Sequence, residues 1–598
     1  MPNDERREAW AAPLRTLAIL VAALVFAVPA VGQALAPRDP EPAVALPWAG
    51  PSRTAATATS YMVAAANPLA VEAGLEILRA GGSAADAAIA VQLVLNLVEP
   101  QSSGIGGGGF ALHWQAATAR LKTYDGRETA PAAARPDRFL DDGHPLQPAD
   151  AIFSGLSVGV PGTLRLLEVL HKEHGRLPWA QLFAPAIRLA EAGFHVSPRL
   201  NLLLRWYGAQ NFSPRARAYF FDRGGSARAE GSLLRNPELA ATLRTIAEKG
   251  AGAFYEGAIA QAIVEAVRQA PSRPGDLALE DLAGYRIKER EPVCFAYRRN
   301  RVCGMGPPSA GGVAVGQILK LVEGFDLGQG PADALNPRAL HLIAEAQRLA
   351  FADHQQYVGD PDFVAVPGGL LDAAYIGARR RLIDPLTAMQ KASPGTPPQL
   401  GRLPGADETV EHDGTTHFSI VDGDGNIVSM TSTVESGFGS RLWAAGFLLN
   451  NELTDFAPRP ADAAGRPLAN AVAPGKRPRS SMAPTIVLDE QGRPWAALGS
   501  VGGPRIILYV VKTLVALIDW KLDAQEAVSL MNFSGRTGTF EIEIGHRSAL
   551  WHALRMRPYG HRIGADFMES GTHAIVLRPG GRLEGGADPR REGVARGE

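Results

Sequence analysis

The chain has 598 residues, of which 46% are hydrophobic and 20% are charged, and this is the composition of a folded protein rather than a disordered one. Lys plus Arg number 60 and Asp plus Glu number 61, so the net charge of −1 gives no overall attraction to nucleic acid or to an anionic membrane. We therefore expect a small-molecule substrate, no nucleic-acid partner and no stable membrane partner.

The N-terminus has the pattern of a secretory signal. Arg15 precedes an apolar run from Leu17 to Val28, and Ala34-Leu35-Ala36 supplies small residues at a cleavage site. The sequence therefore predicts a signal peptide over residues 1–36 and a periplasmic or secreted protein. The alternative is an uncleaved membrane anchor, which the shortness of the run and Pro29 disfavour.

The first two-thirds of the chain is predicted to be rich in helices. Asn67-Pro68 is a cap followed by a first helical residue, and apolar spacing continues from there to Leu78. A second helix is predicted from Ser83 to about Leu97. Further helices are predicted at Thr163–His174, Trp179–Ala192, Pro237–Glu248, Gly312–Val322 and Pro337–Tyr357.

Two motifs in this region match well-known signatures, but their contexts do not. Gly104–Gly109 has the GxGxxG spacing of dinucleotide sites, yet a helix precedes it and a strand-like segment follows, the reverse of a Rossmann turn. We predict instead a place where backbones approach closely. Gly155–Gly159 matches the GxSxG nucleophile elbow, but Pro161 prevents the helix that must follow, so Ser157 is predicted to be a loop residue.

The only two cysteines, Cys294 and Cys303, flank a predicted hairpin that turns near Arg298-Arg299. This spacing allows the two side chains to face each other. A disulfide and a pair of packed free thiols are both compatible with it, and neither cysteine has the spacing of a metal ligand.

The character of the sequence changes near residue 393. Ser393 to Gly414 carries several Pro and Gly residues without periodicity, which predicts an exposed linker. Thr415–Val421 and Ile427–Val434 are β-branched runs separated by the turn-forming residues 422–426, which predicts a hairpin.

The register of this hairpin follows from its loop. If the five loop residues close it, Val421 faces Ile427, and the same register places Thr415 opposite Thr433. His417 then projects to the same side as the two hydroxyls. Strands are rich in threonine for packing reasons alone, so the hairpin by itself favours a structural interpretation.

A family resemblance changes that balance. Thr415-Thr416-His417-Phe418-Ser419 followed by Asp424-Gly425-Asn426 resembles the processing site of gamma-glutamyltransferases. The resemblance extends along nearly the whole mature chain, because these motifs also occur in family order: Gly104–Gly109, Arg127-Glu128, Val158–Gly162, Pro307–Gly312, Leu448–Asn451, Arg479–Met482, Gly502-Gly503 and Ala587–Arg591.

The resemblance implies a fold and a maturation step. The implied fold is the α+β four-layer αββα sandwich of N-terminal-nucleophile hydrolases, in which the precursor cuts itself between Gly414 and Thr415. Residues 37–414 would form a large subunit and residues 415–598 a small catalytic subunit that remain intertwined. No cofactor and no metal is implied.

The resemblance also implies roles for individual residues. Thr415 would be the nucleophile, with its new α-amine as the neighbouring base, because a threonine hydroxyl is a weak nucleophile without one. Thr433 would hold Thr415, and the N–H groups at Gly502 and Gly503 would form the oxyanion hole. The implied substrate-binding residues are Arg127, Ser480 and Ser481 for the α-carboxylate and Glu452 and Asp455 for the α-ammonium.

Two features depart from the family pattern. Glu435 stands where well-known transferases carry Asn, and this carboxylate would either hold an ammonium more strongly or mark another acyl preference. The segment from Ala457 to Pro474 is shorter than the usual lid loop and has no aromatic residue, so water is expected to reach the acyl-enzyme easily.

Three functions therefore stay open at this stage. The favoured one is γ-glutamyl hydrolysis and transfer on a small donor such as glutathione. The second is a glutaryl-cephalosporin-type acylase or another side-chain amidohydrolase of the same family. The third is a poorly processed family member that serves as a binding protein.

Overall fold

Two seven-stranded antiparallel sheets pack face to face in the computed structural model, which describes residues 53–598 apart from 400, 402, 408, 410 and 413. The segment 1–36 predicted as a signal peptide lies outside the described residues. None of the described helices is long and apolar enough to cross a membrane.

The first sheet contains the hairpin that begins at Gly414. Its strands, in spatial order, are Val594–Gly597, Met62–Ala65, Gly414–Val421, Ile427–Glu435, Gly108–Gln115, Arg120–Gly126 and Lys288–Arg290. The hairpin strands are central and buried on both faces. This position explains their continuous run of β-branched and apolar residues.

The second sheet collects strands from both ends of the chain. In spatial order they are Ala56–Ala58, Leu583–Ala587, His573–Leu577, Pro494–Gly499, Thr485–Leu488, Asn300–Gly304 and Val293–Tyr297. Smaller sheets lie outside the two main ones, including one formed by Phe533–Ser534, Thr539–Glu543 and Arg562–Asp566.

Helices cover the outer face of each sheet, and each layer has its own apolar core. The layer on the first sheet includes Pro68–Arg79, Ala84–Val98, Thr163–His174, Ala184–Ala192 and Pro237–Lys249. The layer on the second sheet includes Gly311–Val322, Pro337–Tyr357, Ile506–Ile518 and Ala524–Ser529. The predicted αββα sandwich is confirmed.

Eight further α-helices lie in the described part of the chain, and most of them contribute side chains to one of these two cores. They are Pro148–Ile152, Pro198–Tyr207, Pro214–Phe220, Gly252–Tyr255, Ala258–Arg268, Leu279–Gly284, Ala373–Arg380 and Ala549–Met556.

The predicted helix boundaries are confirmed where caps define them. The Asn67 side chain accepts from the Leu69 N–H, and Ser83 forms a capping box with Asp86. The segment from Trp179 is only partly as predicted, because Trp179–Phe183 is a 3₁₀ helix and the α-helix begins at Ala184.

Both discounted glycine motifs are structural. A Cβ on Gly107 would lie 2.0 Å from the Thr433 carbonyl oxygen, and one on Gly106 would lie 2.1 Å from that of Leu448. The glycine run is therefore a close backbone crossing, and it packs against the strand that carries Thr433. Ser157 Oγ donates to the Ile152 and Ser154 carbonyls and takes no part in a nucleophile elbow.

The cysteine hairpin has the predicted turn, and the structure distinguishes between the two predicted states of the cysteines, a disulfide and a pair of free thiols. Cys294 and Cys303 are directly opposed on strands Val293–Tyr297 and Asn300–Gly304, and they form a disulfide. The bridge joins the outermost pair of strands of the second sheet.

Candidate active site

The register predicted for the central hairpin is confirmed. Val421 pairs with Ile427, and Thr415 pairs with Thr433. The register shifts between Gly414 and Thr415, so that Gly414 faces Glu435 instead of Val434. A bulge of this kind re-aims the backbone locally, and here it lies at the predicted cleavage site.

The hairpin turn is fixed by Asp422. Its Oδ1 accepts from the backbone N–H groups of Asp424 and Asn426, and its Oδ2 accepts from that of Ala84 at the start of a core helix. The turn is therefore anchored both to itself and to the helical layer, which holds the register of the whole hairpin.

Thr433 contacts both groups that would react during cleavage. Thr415 Oγ1 donates to Thr433 Oγ1 at 3.4 Å, and Thr433 Oγ1 donates to the Gly414 carbonyl oxygen at 2.7 Å. Thr433 Oγ1 also accepts from the Glu435 N–H at 2.8 Å, which fixes the hydroxyl in place. The chain is continuous between Gly414 and Thr415, so these contacts are those of the uncut chain.

His417 projects from the same strand face, as predicted, but does not line the cavity beside Thr415. Its ring nitrogens contact the hydroxyls of Thr431 and Ser419 at 2.9 and 3.1 Å. Burial and the nearby His573 lower the pKa of His417 well below its usual range. His417 is therefore a neutral core histidine.

A small cavity joins nearly all of the predicted site residues. Its volume of about 20 Å³ has room for about one water molecule. The residues that line it are Arg127, Glu411, His412, Thr415, Thr433, Glu435, Glu452, Asp455, Ser480, Ser481, Met482, Gly503 and Ile506. In the uncut chain, the site is therefore assembled but too full for a substrate.

The Gly502-Gly503 turn leads into a buried helix. Gly502 and Gly503 have φ of 119° and 53°, and the chain continues through a short 3₁₀ turn into the helix Ile506–Ile518. Gly503 lines the cavity, whereas Gly502 is not among the described residues that do. Gly503 and Ile506, at the start of this helix, thus line the same cavity as Thr415.

Arg127 is buried in the middle of the acidic side of the cavity. Its guanidinium donates to Glu452 Oε1, to Asp455 Oδ2 at 2.6 Å and to the carbonyl oxygens of Pro478 and Arg479. The predicted carboxylate-binding and ammonium-binding residues are therefore joined in one ion-pair network. Glu452 Oε2 and Asp455 Oδ1 accept no hydrogen bond within the described part of the chain.

This network holds more carboxyl groups than Arg127 can neutralise. Burial raises the pKa of Asp455 to about 8 and that of Glu128 to about 7, although Arg127 opposes both shifts. Burial, together with Asp455 and Glu452, raises the pKa of Glu435 well above its usual range. Burial therefore favours the protonated form of these carboxyls, and Asp455 keeps its proton up to about pH 8.

These raised pKa values predict a stability that falls with pH. An unfolded Asp titrates near 3.9, so the Asp455 proton stabilises the native state fully below that pH and progressively less up to about pH 8. In the uncut Thr415→Ala variant, we expect the free energy of unfolding to fall between pH 5 and 8 by up to about 1.4 kcal/mol per pH unit for each proton held. Denaturant titrations at several pH values measure this slope.

Asp455→Asn in the same Thr415→Ala background is the control for that slope. Asparagine cannot titrate, so the slope should decrease by up to the contribution of one proton. A slope that is unchanged in the double variant would contradict a protonated Asp455.

The two serines occupy the far side of the cavity. Ser480 lies beside Ser309, and its backbone bonds to the carbonyl of Pro308 and the N–H of Ala310 fix its strand. Ser480 Oγ accepts from the Met482 N–H, whereas Ser481 Oγ makes no hydrogen bond to any residue that the structure describes. A buried hydroxyl of this kind suits a site that is completed by a ligand.

The prediction of an exposed linker from Ser393 to Gly414 is wrong for its last part. Asp407 and Glu411 are buried, and Asp407 pairs with Arg479 at 2.7 Å. Glu411 Oε1 lies 3.5 Å from Arg479 Nε, and the His412 N–H donates to Glu435. Pro and Gly indicated irregular backbone correctly, but paired charges hold this backbone inside the site.

Two arginines in the site were not singled out from the sequence. Arg479 pairs with Asp407, which precedes Gly414 in the chain, and Arg591 donates to the Thr415 carbonyl oxygen at 3.1 Å. Both lie in motifs that carry the resemblance, but only their burial and partners show that they position other groups.

Known proteins share both the sequence and the fold. The family model for gamma-glutamyltranspeptidase matches residues 70–598. The chain is 36% identical over 541 residues to the glutathione hydrolase proenzyme of Escherichia coli (strain K12), covering 88% of this chain and 90% of the relative. It is 35% identical over 552 residues to the acylase ACY 1 proenzyme of Pseudomonas sp. (strain V22), covering 90% and 94%.

A solved structure extends the comparison to three dimensions. The cephalosporin acylase from Bacillus halodurans has a TM-score of 0.80 and 29% identity, covering 92% of this chain and 98% of that chain. The shared fold is that of the N-terminal-nucleophile hydrolases. By its sequence, its αββα architecture and its match along nearly the whole described length, the chain belongs to the gamma-glutamyltranspeptidase family.

Proposed function

We propose that the chain is a self-cleaving enzyme that hydrolyses and transfers γ-glutamyl groups through an acyl-enzyme on Thr415. Cleavage after Gly414 would give a large subunit of residues 37–414 and a small subunit of residues 415–598. The carrying observation is the double contact of Thr433, whose hydroxyl meets both the Thr415 hydroxyl and the Gly414 carbonyl oxygen.

The cleavage step follows from this contact. Thr415 Oγ1 attacks the Gly414 carbonyl carbon while Thr433 stabilises the negative charge that develops on the carbonyl oxygen. The C–N bond then breaks, and the nitrogen of Thr415 takes up the proton lost by the hydroxyl. This step frees the α-amine of Thr415 and leaves Gly414 attached to Oγ1 as an ester. Water then hydrolyses the ester, which releases the carboxylate of Gly414 and restores the Thr415 hydroxyl.

The freed amine then supports turnover. An unperturbed α-amine has a pKa of about 7.7–8.0, so a useful fraction is unprotonated near neutral pH and can accept the proton of the attacking hydroxyl. The Thr415 hydroxyl attacks the side-chain amide of the donor, and the α-amine of Thr415 passes the proton to the donor nitrogen, which leaves as an amine. Water or an amino acid then takes the acyl group from Thr415. We assign stabilisation of the oxyanion to the backbone N–H groups of the Gly502-Gly503 turn.

Cleavage would also empty the substrate site. Glu411 and His412 line the cavity in the uncut chain and precede the cut. Once the chain ends at Gly414, these residues are no longer tethered to Thr415, and the space beside Arg127, Ser480 and Ser481 becomes available. A donor with an α-carboxylate and an α-ammonium, such as glutathione, matches the mixed charges of that space.

The second candidate is a glutaryl-type acylase. The similarity to acylase ACY 1 and to the cephalosporin acylase supports it, and Glu435 stands at the position that departs from the transferase pattern. Rates for γ-glutamyl and glutaryl p-nitroanilides, measured side by side, distinguish the two donors. We expect the γ-glutamyl donor to be preferred, and a clear preference for the glutaryl donor would reject the first proposal.

Glu435 is predicted to set this preference. An ammonium bound beside Glu435 favours its ionised form, because the opposite charge offsets the effect of burial on its pKa. The carboxylate then adds a partner for the donor ammonium, and hydrogen bonds to charged groups are worth about 1.5–3 kcal/mol. We therefore expect Glu435→Gln to lower kcat/KM for the γ-glutamyl anilide by about 10- to 100-fold, with little loss for the glutaryl anilide.

Glu435→Asp is the matched control, because it keeps the charge. It should keep most of the preference for the γ-glutamyl donor. An equal loss on both donors in Glu435→Gln would assign Glu435 to the structure of the site rather than to recognition of the ammonium.

The short segment Ala457–Pro474 bears on the fate of the acyl-enzyme. It borders a cleft of about 640 Å³ that it shares with Ala406 and Asp407. This cleft shares no lining residue with the cavity at Thr415, so the expectation rests on the segment itself. The segment is short and has no aromatic residue to cover the acyl-enzyme, and we therefore expect hydrolysis to compete strongly with transfer. At saturating donor, glycylglycine should raise product release less than about twofold in a p-nitroaniline assay. A manyfold rise would contradict this expectation.

The proposed location is the periplasm or the outside of the cell, supported by the apolar run Leu17 to Val28 and the basic residues before it. The disulfide between Cys294 and Cys303 is compatible with an oxidising compartment.

A further inference from the structure

One surface of the protein is strongly positive, although the net charge of the whole chain is close to zero. The chain as a whole has a net charge of −1, but the stretch 544–565 contains four arginines and no acidic residue. Its histidines add no charge at neutral pH, because burial lowers the pKa values of His546 and His552 to about 4 and that of His561 to about 3. This stretch therefore carries a local charge of about +4 at neutral pH.

The positive charges of these arginines are not balanced within the part of the chain that the structure describes. Arg547, Arg555, Arg557 and Arg562 form no ion pair with any residue that the structure describes. Arg555 instead lies over the Trp551 ring, with 4.6 Å between its guanidinium carbon and the ring centroid. By contrast, exposed arginines elsewhere are often paired, as Arg135 is with Asp137 and Arg493 with Asp489.

The same stretch exposes large apolar side chains. Thirteen large hydrophobic residues are exposed in the described part of the chain, and five of them fall between positions 544 and 567. Their exposed fractions lie between 39% and 49%; they are Ile544, Leu550, Trp551, Leu554 and Phe567. We call these five residues and the four arginines the 544–567 surface; Asp566, the acidic residue within this range, is paired with Arg505.

The helix Ala549–Met556 explains why these side chains point outward. His552, Ala553 and Met556 are its buried face, which contacts the strand Thr539–Glu543. Leu550, Trp551 and Leu554 therefore lie on the opposite face, and Leu550 and Leu554 are one helical turn apart. The exposed side is an apolar stripe on a helix whose other side is already anchored, so burial in its own core does not account for it.

We propose that the 544–567 surface binds an anionic lipid surface. Such a surface offers phosphate groups to the arginines and an apolar layer beneath them to Leu550, Leu554 and Trp551. Arginine stems and the tryptophan ring are amphipathic and suit that boundary. A nucleic acid would use the arginines and Trp551 but offers nothing to the exposed aliphatic side chains. Such binding differs from the sequence expectation of no stable membrane partner, which rested on the overall charge.

The test is sedimentation of the full-length protein with large vesicles. We expect binding to vesicles of equal parts phosphatidylglycerol and phosphatidylcholine, and at least about tenfold weaker binding to phosphatidylcholine alone. Raising the salt from about 0.05 M to about 0.5 M should also weaken binding at least about tenfold, because it screens the arginines.

Two variants separate the charged and apolar contributions. R547Q/R555Q/R557Q/R562Q and L550S/W551S/L554S should each bind the anionic vesicles at least about tenfold more weakly than the wild type. R135Q/R299Q/R493Q is the matched control, because it removes exposed but ion-paired arginines, and it should change binding less than about twofold. The wild type and all three variants carry the same N-terminus, so differences in binding between them report on the substituted residues alone.

Hydrolysis of the γ-glutamyl anilide shows that each variant is folded and is expected to be unchanged. The proposal is overturned if the wild type does not bind anionic vesicles, or if the arginine variant binds them as well as the control. It is equally overturned if the surface proves to join two copies of the chain, seen as a concentration-dependent dimer that L550S/W551S/L554S abolishes, or if it binds soluble polyglutamate in preference to vesicles.

Discussion

Replacing Thr415 with alanine is expected to leave one uncut chain without measurable turnover. The hydroxyl of Thr415 is the only atom of that residue that lies beside Thr433 Oγ1 and can attack the Gly414 carbonyl. Removal of the nucleophile of a hydrolase that forms an acyl-enzyme can cost a factor of about 10⁶ in kcat. A denaturing gel and the γ-glutamyl anilide assay, run on the same preparation, measure both effects.

Thr415→Ser is the control for that experiment. Serine keeps an oxygen nucleophile at the same backbone position, so the variant should still be cut after Gly414 and should retain part of the activity. A Thr415→Ala protein that is still cut at this bond, or still active, would show that another group is the nucleophile.

Replacing Thr433 with valine is expected to slow both cleavage and turnover by roughly 10²–10³. Valine has nearly the same shape, so the strand should stay in place while two contacts are lost. These are the bond to the Gly414 carbonyl oxygen at 2.7 Å and the bond from Thr415 Oγ1. A time course of the uncut band after synthesis, with the anilide assay on the fully cut fraction, separates the two rates.

Thr416→Val is the matched control for Thr433→Val. Thr416 is a buried threonine of the same hairpin, and its hydroxyl makes no hydrogen bond to any residue that the structure describes. We expect normal cleavage and nearly normal turnover. Equal effects of the two substitutions would assign Thr433 to the packing of the hairpin rather than to the reaction.

The central hairpin was predictable because its signals are local. Residues 422–426 define the turn, the turn defines the register, and the register alone places Thr415 opposite Thr433. Helices with strong caps, such as those that follow Asn67 and Ser83, were predictable for the same reason. In these cases the information lies within a few residues of the feature.

Features that depend on distant partners were not predictable from local pattern. The helix Ile506–Ile518 was not predicted, because its sequence is almost entirely apolar and shows no polar face, and every one of its residues is buried. The second sheet joins strands more than 500 residues apart, such as Ala56–Ala58 and Leu583–Ala587. Only the family resemblance indicated this architecture.

The candidate site shows the same division. The burial of Glu411 follows from its approach to Arg479, and the role of Arg591 follows from its bond to the Thr415 carbonyl oxygen. Neither partner is near in sequence. The charge of the 544–567 surface was hidden for a related reason, since a sum over the whole chain cannot show where the charges lie.

The central claim is that Thr415 both cuts the chain and becomes its catalytic N-terminus. Its most direct test is N-terminal sequencing of the smaller band of the purified wild-type protein. The account predicts that this band begins Thr415-Thr416-His417-Phe418. A band that begins at any other residue, or a protein that is active as one uncut chain, would contradict it.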